Sequence, residues 1–510
     1  MFKVPDFFKR YRDNDKVNLQ EDRIVINDSK DMIRVAIMRD GKLDDFFMQE
    51  KSVNRITGNI YMGCVEKIVQ SIQAAFVNIG LARNGFLHIS DIHGRVIDEE
   101  EVKERRDSLK RRKIGEIVKE GQLVIVQIIK DFIGTKGVRL STNISLPGRY
   151  VVFMPGTSQK RVSRRIEDKK EKERLRAIFE DSCIPESAGF IARTAAEHKS
   201  KKIILKDIKN LLNLWNQIEK QKLKTNSAAL IHEELDIAKR VVRDMLTEDI
   251  TSVIVDSKER FENIKSFIKS IAPQMRYKIK HYKGVQGVFS KFGIEKELQK
   301  VFKKKIWLKC GGYIVIEKTE ALVSVDVNTG RNVSGADDEE TIYQTNYEST
   351  IEIARQLRLR NMGGIIIIDY IDMKSAKHRK EIFKKLKEEL TKDKSKTTIY
   401  PITKLGLVQM TRQRVEESWD KAYFDDCPRC QGSGRIKSVT TITTELINQL
   451  KLFLSRNREV NPLVKANTKI IDALIKENGF EELEKKYNSE ISYLKDDNFD
   501  LEQYEIASRE

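Results

Sequence analysis

Residues 22–50 hold short apolar runs broken by polar and charged positions, and they read as strands. RIVIND and IRVAIMRDGKL read as strands, the second turning back through a hairpin at Asp40-Gly41. They are too few to make a domain alone and are expected to pair with a later segment. Between residues 55 and 142 the pattern breaks into five short strand signals: Asn59–Ile68, Ala75–Gly80, Gly85–His88, Leu123–Lys130 and Val138–Thr142. Glycine or charge separates them, and one insert, Val96 to Lys113, is almost wholly charged and reads as a solvated helix or loop. Five short strands with glycine-marked turns predict a small barrel of the OB type. Residues 143–237 alternate strand and helix signals, with helical periodicity over 167–181 and 205–222. Residues 238–301 predict a helix at Ala238–Glu248, a strand at Ser252–Asp256 and a helix at Ile264–Ala272.

The α/β pattern is clearest over residues 302–423. Tyr313–Glu317 and Leu322–Val327 read as adjacent strands, Asp338 to Arg360 as a long helix, and Lys374 to Asp393 as a second, strongly charged helix. Gly364–Ile371 lies between the helices and reads as a β-rich run apolar on both faces, as buried parallel strands are. Residues 438–510 read as helix-forming and charged, with Leu446, Leu450, Leu452 and Leu454 giving one apolar helix surface.

At roughly 100–200 residues per domain, a chain of 510 residues suggests about three to five compact units. With 40% hydrophobic and 34% charged residues it can build real cores. The net charge of +18 favours a polyanionic partner, nucleic acid or an anionic surface, although a Lys-rich composition would give the same balance. No apolar run approaches the ~20 residues of a membrane helix; Gly363 to Tyr370 is only strand-sized, so a membrane partner is not expected. Met1 to Arg12 lacks the apolar core and cleavage site of a signal peptide, and five cysteines make no disulfide framework. A reducing, cytoplasmic setting is expected.

Two aspartates stand at the ends of apolar strands, Asp326 in ALVSVDVN and Asp369 in GGIIIIDYIDM. Such strands bring carboxylates to the C-terminal edge of a sheet, where open α/β folds place their sites. Carboxylate oxygen suits Mg²⁺, and Asn328, two residues beyond Asp326, falls on the same strand face. Asp372 follows Asp369 by three. The plainer reading is that these aspartates cap turns or helices. The six histidines form no metal-spaced cluster, and no phosphate-binding P-loop occurs. Cys427 and Cys430 in CPRCQGSG make half of a tetrahedral Zn²⁺ site, completed most economically by the same pair from a second chain. A redox pair and a single-chain site completed by other residues are the alternatives; no thioredoxin-like context is visible around the pair. Phe76 and Phe86, near Lys136, could stack bases in a basic groove or simply be core residues. Arg193-Thr194 and Arg164-Arg165 are further anion-binding candidates.

The segments GNIYMGCVEKI, AAFVNIG, GFLHISDI, GQLVIVQI, KGVRLSTNISLPGRYVVFMP, SRRIE, ARTAAE, ALVSVDVNTGR, IARQLRLRNMGGIIIIDYIDM, GLVQMTRQR and CPRCQGSG together resemble the ribonuclease E/G family, in order from about residue 55 to 437. The resemblance implies a multidomain α/β chain: an RNase H-like subdomain from residues 1–54 and 238–301, an inserted OB-fold RNA-binding domain at 55–142, and a 5′-phosphate sensor at 143–237. A DNase I-like catalytic subdomain at 302–423, a zinc link at 424–437 and a small helical domain at 438–510 would complete it. It implies an endoribonuclease that cuts single-stranded, AU-rich RNA with Mg²⁺, is stimulated by a 5′-monophosphate and leaves 5′-phosphate and 3′-hydroxyl ends, in rRNA and tRNA processing and mRNA decay. Asp326 and Asp369 match the metal-binding aspartates and Asn328 the active-site asparagine. Phe76, Phe86 and Lys136 match the RNA grip of the OB-fold. Gly148, Val152, Arg164, Arg193 and Thr194 match the monophosphate pocket, and Cys427 and Cys430 match zinc ligands shared between two chains of a dimer, which in some members pairs into a tetramer. The family's last sensor arginine falls at Lys396 here, which keeps the charge and loses the planar fork. No long tail follows the small domain, so a degradosome scaffold is expected to be absent, as in the shorter, G-type members. The competing readings are a non-enzymatic RNA-binding protein, which has no need of both aspartates and the asparagine, and a metal-dependent phosphoesterase acting on DNA or nucleotides.

Overall fold

The computed structural model describes residues 21–52, 55–92, 113–131, 137–181, 184–185, 188–331, 338–393, 395–403, 405–413, 427–457 and 460–508. Met1–Arg12, residues 96–112 of the charged insert, Lys136 and Cys183 lie outside the described residues. The chain divides into two compact units, residues 1–415 and 416–510.

In the larger unit, β1 (Arg23–Asp28), β2 (Met32–Arg39) and β3 (Lys42–Glu50) form an antiparallel meander. Next, β4 (Ile60–Val69), β5 (Ala74–Asn78), β6 (Gly85–His88), β7 (Leu123–Lys130) and β8 (Arg139–Ser141) close on themselves, because β4 pairs with both β5 and β7. Closure removes the free edges of the sheet. Val65, Val77, Leu87, Val126 and Leu140 point inward and fill the barrel. The predicted OB-type barrel is therefore present.

A third group, β9 (Leu146–Pro147), β10 (Val151–Pro155), β11 (Lys160–Val162) and β12 (Ala188–Ala192), packs against the helices Lys169–Phe179 and Lys201–Leu223. Its largely aliphatic core holds one aromatic stack: Phe190 lies on Phe153 and Phe179 at 5.0 and 5.9 Å between centroids. The chain then adds β13 (Ala229–His232) to β4 and returns to the first sheet with β14 (Ser252–Val255) and β15 (Ile279–His281). β1 pairs with β14 in parallel, Ile24 opposite Val253, so the N-terminal strands and residues 252–281 share one sheet. The helices Ile237–Met245 and Lys258–Ile271 cover it through Val241, Val242, Ile264 and Ile268.

The fourth sheet in chain order carries the acidic strands: β16 (Lys305–Trp307), β17 (Tyr313–Lys318), β18 (Leu322–Asn328), β19 (Gly364–Asp369), β20 (Thr397–Ile399) and β21 (Leu407–Arg412), in the order β16-β17-β18-β19-β21-β20. Here the sequence expectation fails in one respect. Ile366 and Ile368 are buried, but Ile365 is 52% exposed, so β19 is covered on one face only. The helices that follow β18 and β19, Asp338–Leu359 and Ala376–Thr391, share one core on that single face. A run of four isoleucines cannot reveal by pattern which of its faces is open.

The smaller unit also departs from expectation. After the helix Val439–Arg456, β22 (Pro462–Ala466), β23 (Ser492–Lys495) and β24 (Tyr504–Ser508) form a three-stranded mixed sheet in the order β23-β22-β24. The region is α/β rather than helical. β23 and β24 are short and largely exposed, so they carry little of the apolar alternation that marks a strand. Among the described residues no helix is long and apolar enough to cross a membrane.

Candidate catalytic and RNA-binding sites

β18 and β19 run parallel as neighbours, with Asp326 directly opposite Asp369. Val323, Val325 and Val327 enter the core, so Leu322, Ser324, Asp326 and Asn328 stand on the open face. Both aspartates are exposed at the C-terminal edge of the strand pair. Asn328 donates through Nδ2 to Asp326 Oδ2 at 2.8 Å, which fixes that carboxylate. Partial burial, then the negative charges of Asp326 and Asp372, push the Asp369 carboxyl above the usual carboxylate range. Like charges gathered this way fit a cation between them. Among the described residues no group of three or more His, Cys, Asp or Glu forms a metal cage; a hydrated Mg²⁺ needs only one or two carboxylates.

The backbone beyond Asp369 is clamped by residues that sequence reading missed. Asn346, fully buried on the long helix, donates to the Ile371 carbonyl at 2.8 Å and accepts from the Ile371 amide at 3.1 Å. The Thr350 hydroxyl meets Tyr370 OH at 2.9 Å. Glu339 accepts the amides of Lys374 and Ser375, each at 3.1 Å, and these bonds, then His378, lower its carboxyl. The segment carrying Asp372 is thus held from three points on one helix. A buried Asn within a helix was the only sequence signal.

On the barrel, Phe76 and Phe86 are cross-strand partners with ring centroids 6.0 Å apart, edge to face. Both are half-buried on the outer surface, since their neighbours Ala75, Val77 and Leu87 fill the core. His88 extends the row, lying nearly parallel to Phe86 at 6.4 Å and 22°, and Lys67 pairs opposite Phe76. The i, i+2 spacing of Phe86 and His88 was the available signal for this third ring.

Arg193 and Thr194 follow β12, and Val152 pairs with Ile191 across β10 and β12. Gly148 lies in the turn between β9 and β10, where a Cβ would meet Asp207 Oδ2 at 2.6 Å and the Val151 carbonyl at 2.8 Å. Arg193 donates to the Gly148 carbonyl and to Asp244 Oδ1, the latter at 2.7 Å. Burial alone would raise Asp244, but hydrogen bonds and charge from Arg243 and Arg193 hold it at about 2. Burial raises the Asp207 carboxyl, opposed by the Tyr150 and Val151 amides at 2.8 and 3.1 Å. Neither aspartate was singled out from sequence. Arg164 is exposed, and its neighbour Arg165 donates to the Ser395 carbonyl at 3.2 Å, which brings the segment carrying Arg164 to the residue before Lys396. The buried pair Arg412–Asp393, at 2.6 Å, anchors that stretch. The Asp393 carboxylate accepts the Ser395 amide, and the Lys396 carbonyl accepts the Gln413 amide.

In the smaller unit Cys427 and Cys430 sit in a tight turn whose carbonyls accept the Gln431 and Ser433 amides, each at 2.8 Å. The Cys430 amide, then that of Arg429, lowers the Cys427 thiol. Backbone donors that favour thiolate suit a half set of zinc ligands.

The barrel, residues 55–142, matches the S1 RNA binding domain model, and residues 145–415 match the Ribonuclease E/G family model. Residues 426–509 match the RNase E/G, Thioredoxin-like domain model, which overturns the expectation that the CxxC pair has no thioredoxin-like context. The chain is 41% identical over 429 residues to Ribonuclease G of Escherichia coli K12, covering 84% of this chain and 87% of that one. It is 40% identical to Ribonuclease G of Haemophilus influenzae over 84% of this chain and 86% of that one. Ribonuclease E of Haemophilus influenzae is 33% identical over 482 residues, 92% of this chain and 50% of that one.

Proposed function

Since the chain belongs to the ribonuclease E/G family and is an endoribonuclease, we propose that it cuts single-stranded RNA at the Asp326–Asp369 edge of the open sheet face. The observation that carries this reading is the register: two carboxylates opposed on parallel neighbours, one of them fixed by Asn328. Mg²⁺ bound by Asp326 and Asp369 would supply an activated water and neutralise charge at the scissile phosphate. Asn328 keeps the Asp326 carboxylate aimed, and Asn346 keeps the chain after Asp369 in place. Phe76, Phe86 and His88, with Lys67 beside them, hold unpaired bases, because every base has a face to stack and strand charge to neutralise. Lys136 joins this grip by family resemblance.

Gly148, Val152, Arg164, Arg193, Thr194 and Lys396 form the pocket for a 5′-monophosphate. Lys396 in place of a forked arginine weakens the preference for it. Cys427 and Cys430 hold Zn²⁺ jointly with the same pair of a second chain, giving a dimer; in some family members such dimers pair further into tetramers. The products carry 5′-phosphate and 3′-hydroxyl ends, the preferred substrates are AU-rich, and the cytoplasmic role is rRNA and tRNA maturation and mRNA decay.

The test uses a short, unstructured A/U-rich RNA with a 5′-monophosphate or a 5′-hydroxyl, in Mg²⁺ or EDTA, alongside Asp326→Asn. Internal cuts that need Mg²⁺ and Asp326 are expected, faster on the monophosphate. Full activity of Asp326→Asn at saturating Mg²⁺ removes Asp326 from the site.

A further inference from the structure

The sheet face that bears Asp326 continues sideways. Tyr313 on β17 lies opposite Asn328, and Trp307 on β16 lies opposite Tyr313. Directly opposed residues share a face, so Asn328, Tyr313 and Trp307 form one row across three strands. Strands are about 4.8 Å apart, which puts the Trp307 backbone about 10 Å from that of Asn328. Ile306, between Lys305 and Trp307, packs against the core on the other side. Trp307 is 55% exposed. Its ring lies 5.2 Å from that of Tyr313, and Lys305 Nζ stands 4.5 Å from the indole centroid and 3.4 Å from the phenol centroid.

The rings are also joined to the turn that leaves β18. Gly330, at φ +60°, is so close that a Cβ would meet the Gly311 carbonyl at 2.6 Å, Tyr313 Cδ1 at 3.1 Å and Trp307 Cζ3 at 3.4 Å. The Arg331 amide donates to that same carbonyl at 3.0 Å. An exposed aromatic platform carrying a cation, and rigidly connected to the acidic strand, has the two features with which proteins hold single-stranded nucleic acid.

We propose that Trp307 is a stacking subsite for one base of the RNA strand next to the scissile phosphodiester, with Tyr313 supporting the indole and Lys305 facing the adjoining phosphate. This rests on the reading of Asp326 and Asp369 as the cleavage site. The occupant is single-stranded RNA because the platform is basic, lies on the face of the acidic pair and belongs to a chain of net charge +18.

The sequence has three tryptophans, so Trp215→Phe with Trp419→Phe leaves Trp307 as sole reporter. In EDTA, which prevents cleavage, an unstructured RNA decamer is expected to quench its emission, and an abasic decamer of equal charge is not. Equal quenching by both, or none by either, overturns the proposal. In steady-state cleavage Trp307→Ala is expected to raise KM roughly 5- to 20-fold, the lower part of the range for loss of one stacked base, with kcat within twofold. Trp307→Phe is expected to restore most of the loss. An unchanged KM in Trp307→Ala while Asp326→Asn is inactive defeats the stacking subsite alone; normal cleavage by Asp326→Asn defeats the underlying site. A lower mass of Trp307→Ala by light scattering, with KM unchanged, would make the platform a contact between copies and also overturn the proposal.

Discussion

Asp244→Asn should weaken the larger unit by an amount that depends on pH in a set direction. The carboxylate bridges Arg193 Nη1 at 2.7 Å and Arg243 Nε and Nη2 at 3.0 and 3.2 Å. Against an ordinary aspartate at 3.8, a value of about 2 corresponds to about 2 kcal/mol of folding free energy at neutral pH. Because the folded value is depressed, this stabilisation is complete well above pH 4 and is lost as pH falls towards 2. About half remains at pH ~3. The assay is urea unfolding from pH 7 down to pH 3, followed by the emission of Trp215, which packs 6.3 Å from Phe153 in the core behind β10 and β12. Trp307→Phe and Trp419→Phe in the background isolate that signal. The gap between wild type and Asp244→Asn should be about 2 kcal/mol at pH 7 and about half that at pH 3. A gap independent of pH, or one below ~0.5 kcal/mol at pH 7, would refute the bridge as the source of the stability. Since Arg193 also holds the Gly148 carbonyl, the variant should lose rate on 5′-monophosphate RNA and keep its rate on 5′-hydroxyl RNA.

Gly148→Ala drives a methyl against Asp207 Oδ2 and Leu211 Cδ1, 2.6 and 2.9 Å from the ideal Cβ, and should cost ~1–3 kcal/mol by thermal unfolding. Arg412→Met leaves Asp393, 3% exposed, without its guanidinium and should cost ~3–5 kcal/mol, whereas Arg412→Met with Asp393→Leu should recover most of it. Equal losses in the single and double variants would argue against a buried unpaired charge as the cause. Cys427→Ser with Cys430→Ser should lower the oligomeric mass measured by light scattering and release bound zinc; an unchanged mass with no zinc in the wild type would refute the shared metal.

What the sequence revealed, and what it hid, follows from how far each residue's partner lies along the chain. Asp326 and Asp369 were legible because each ends an apolar strand, and a strand end has a fixed address on a sheet. Phe76 and Phe86 were legible as strand residues, but their outward direction became clear only when closure of the barrel turned Val77 and Leu87 inward. Asp207 and Asp244 were not legible. Each is an ordinary acid on a helix, and its burial is created by the chain around Arg149–Val151 and by Arg193, distant in sequence. The three-stranded sheet of residues 462–508 was hidden for the opposite reason: β23 and β24 lie largely in solvent and owe their pairing to β22 rather than to a hydrophobic pattern of their own.

The connection between β18 and β19 explains why the acidic pair can be both open and exact in position. A parallel pair needs a crossover, and a helix is the usual way to make one. Here that helix, Asp338–Leu359, covers the apolar face and so leaves the carboxylate face bare. The same helix supplies Asn346, Thr350 and Glu339, which fix the backbone from Tyr370 to Ser375. Exposure of the carboxylate face and rigidity of the backbone beside it therefore have one structural cause. The element that keeps the back of the sheet dry also holds the segment next to Asp369, so the front needs no covering layer to stay ordered.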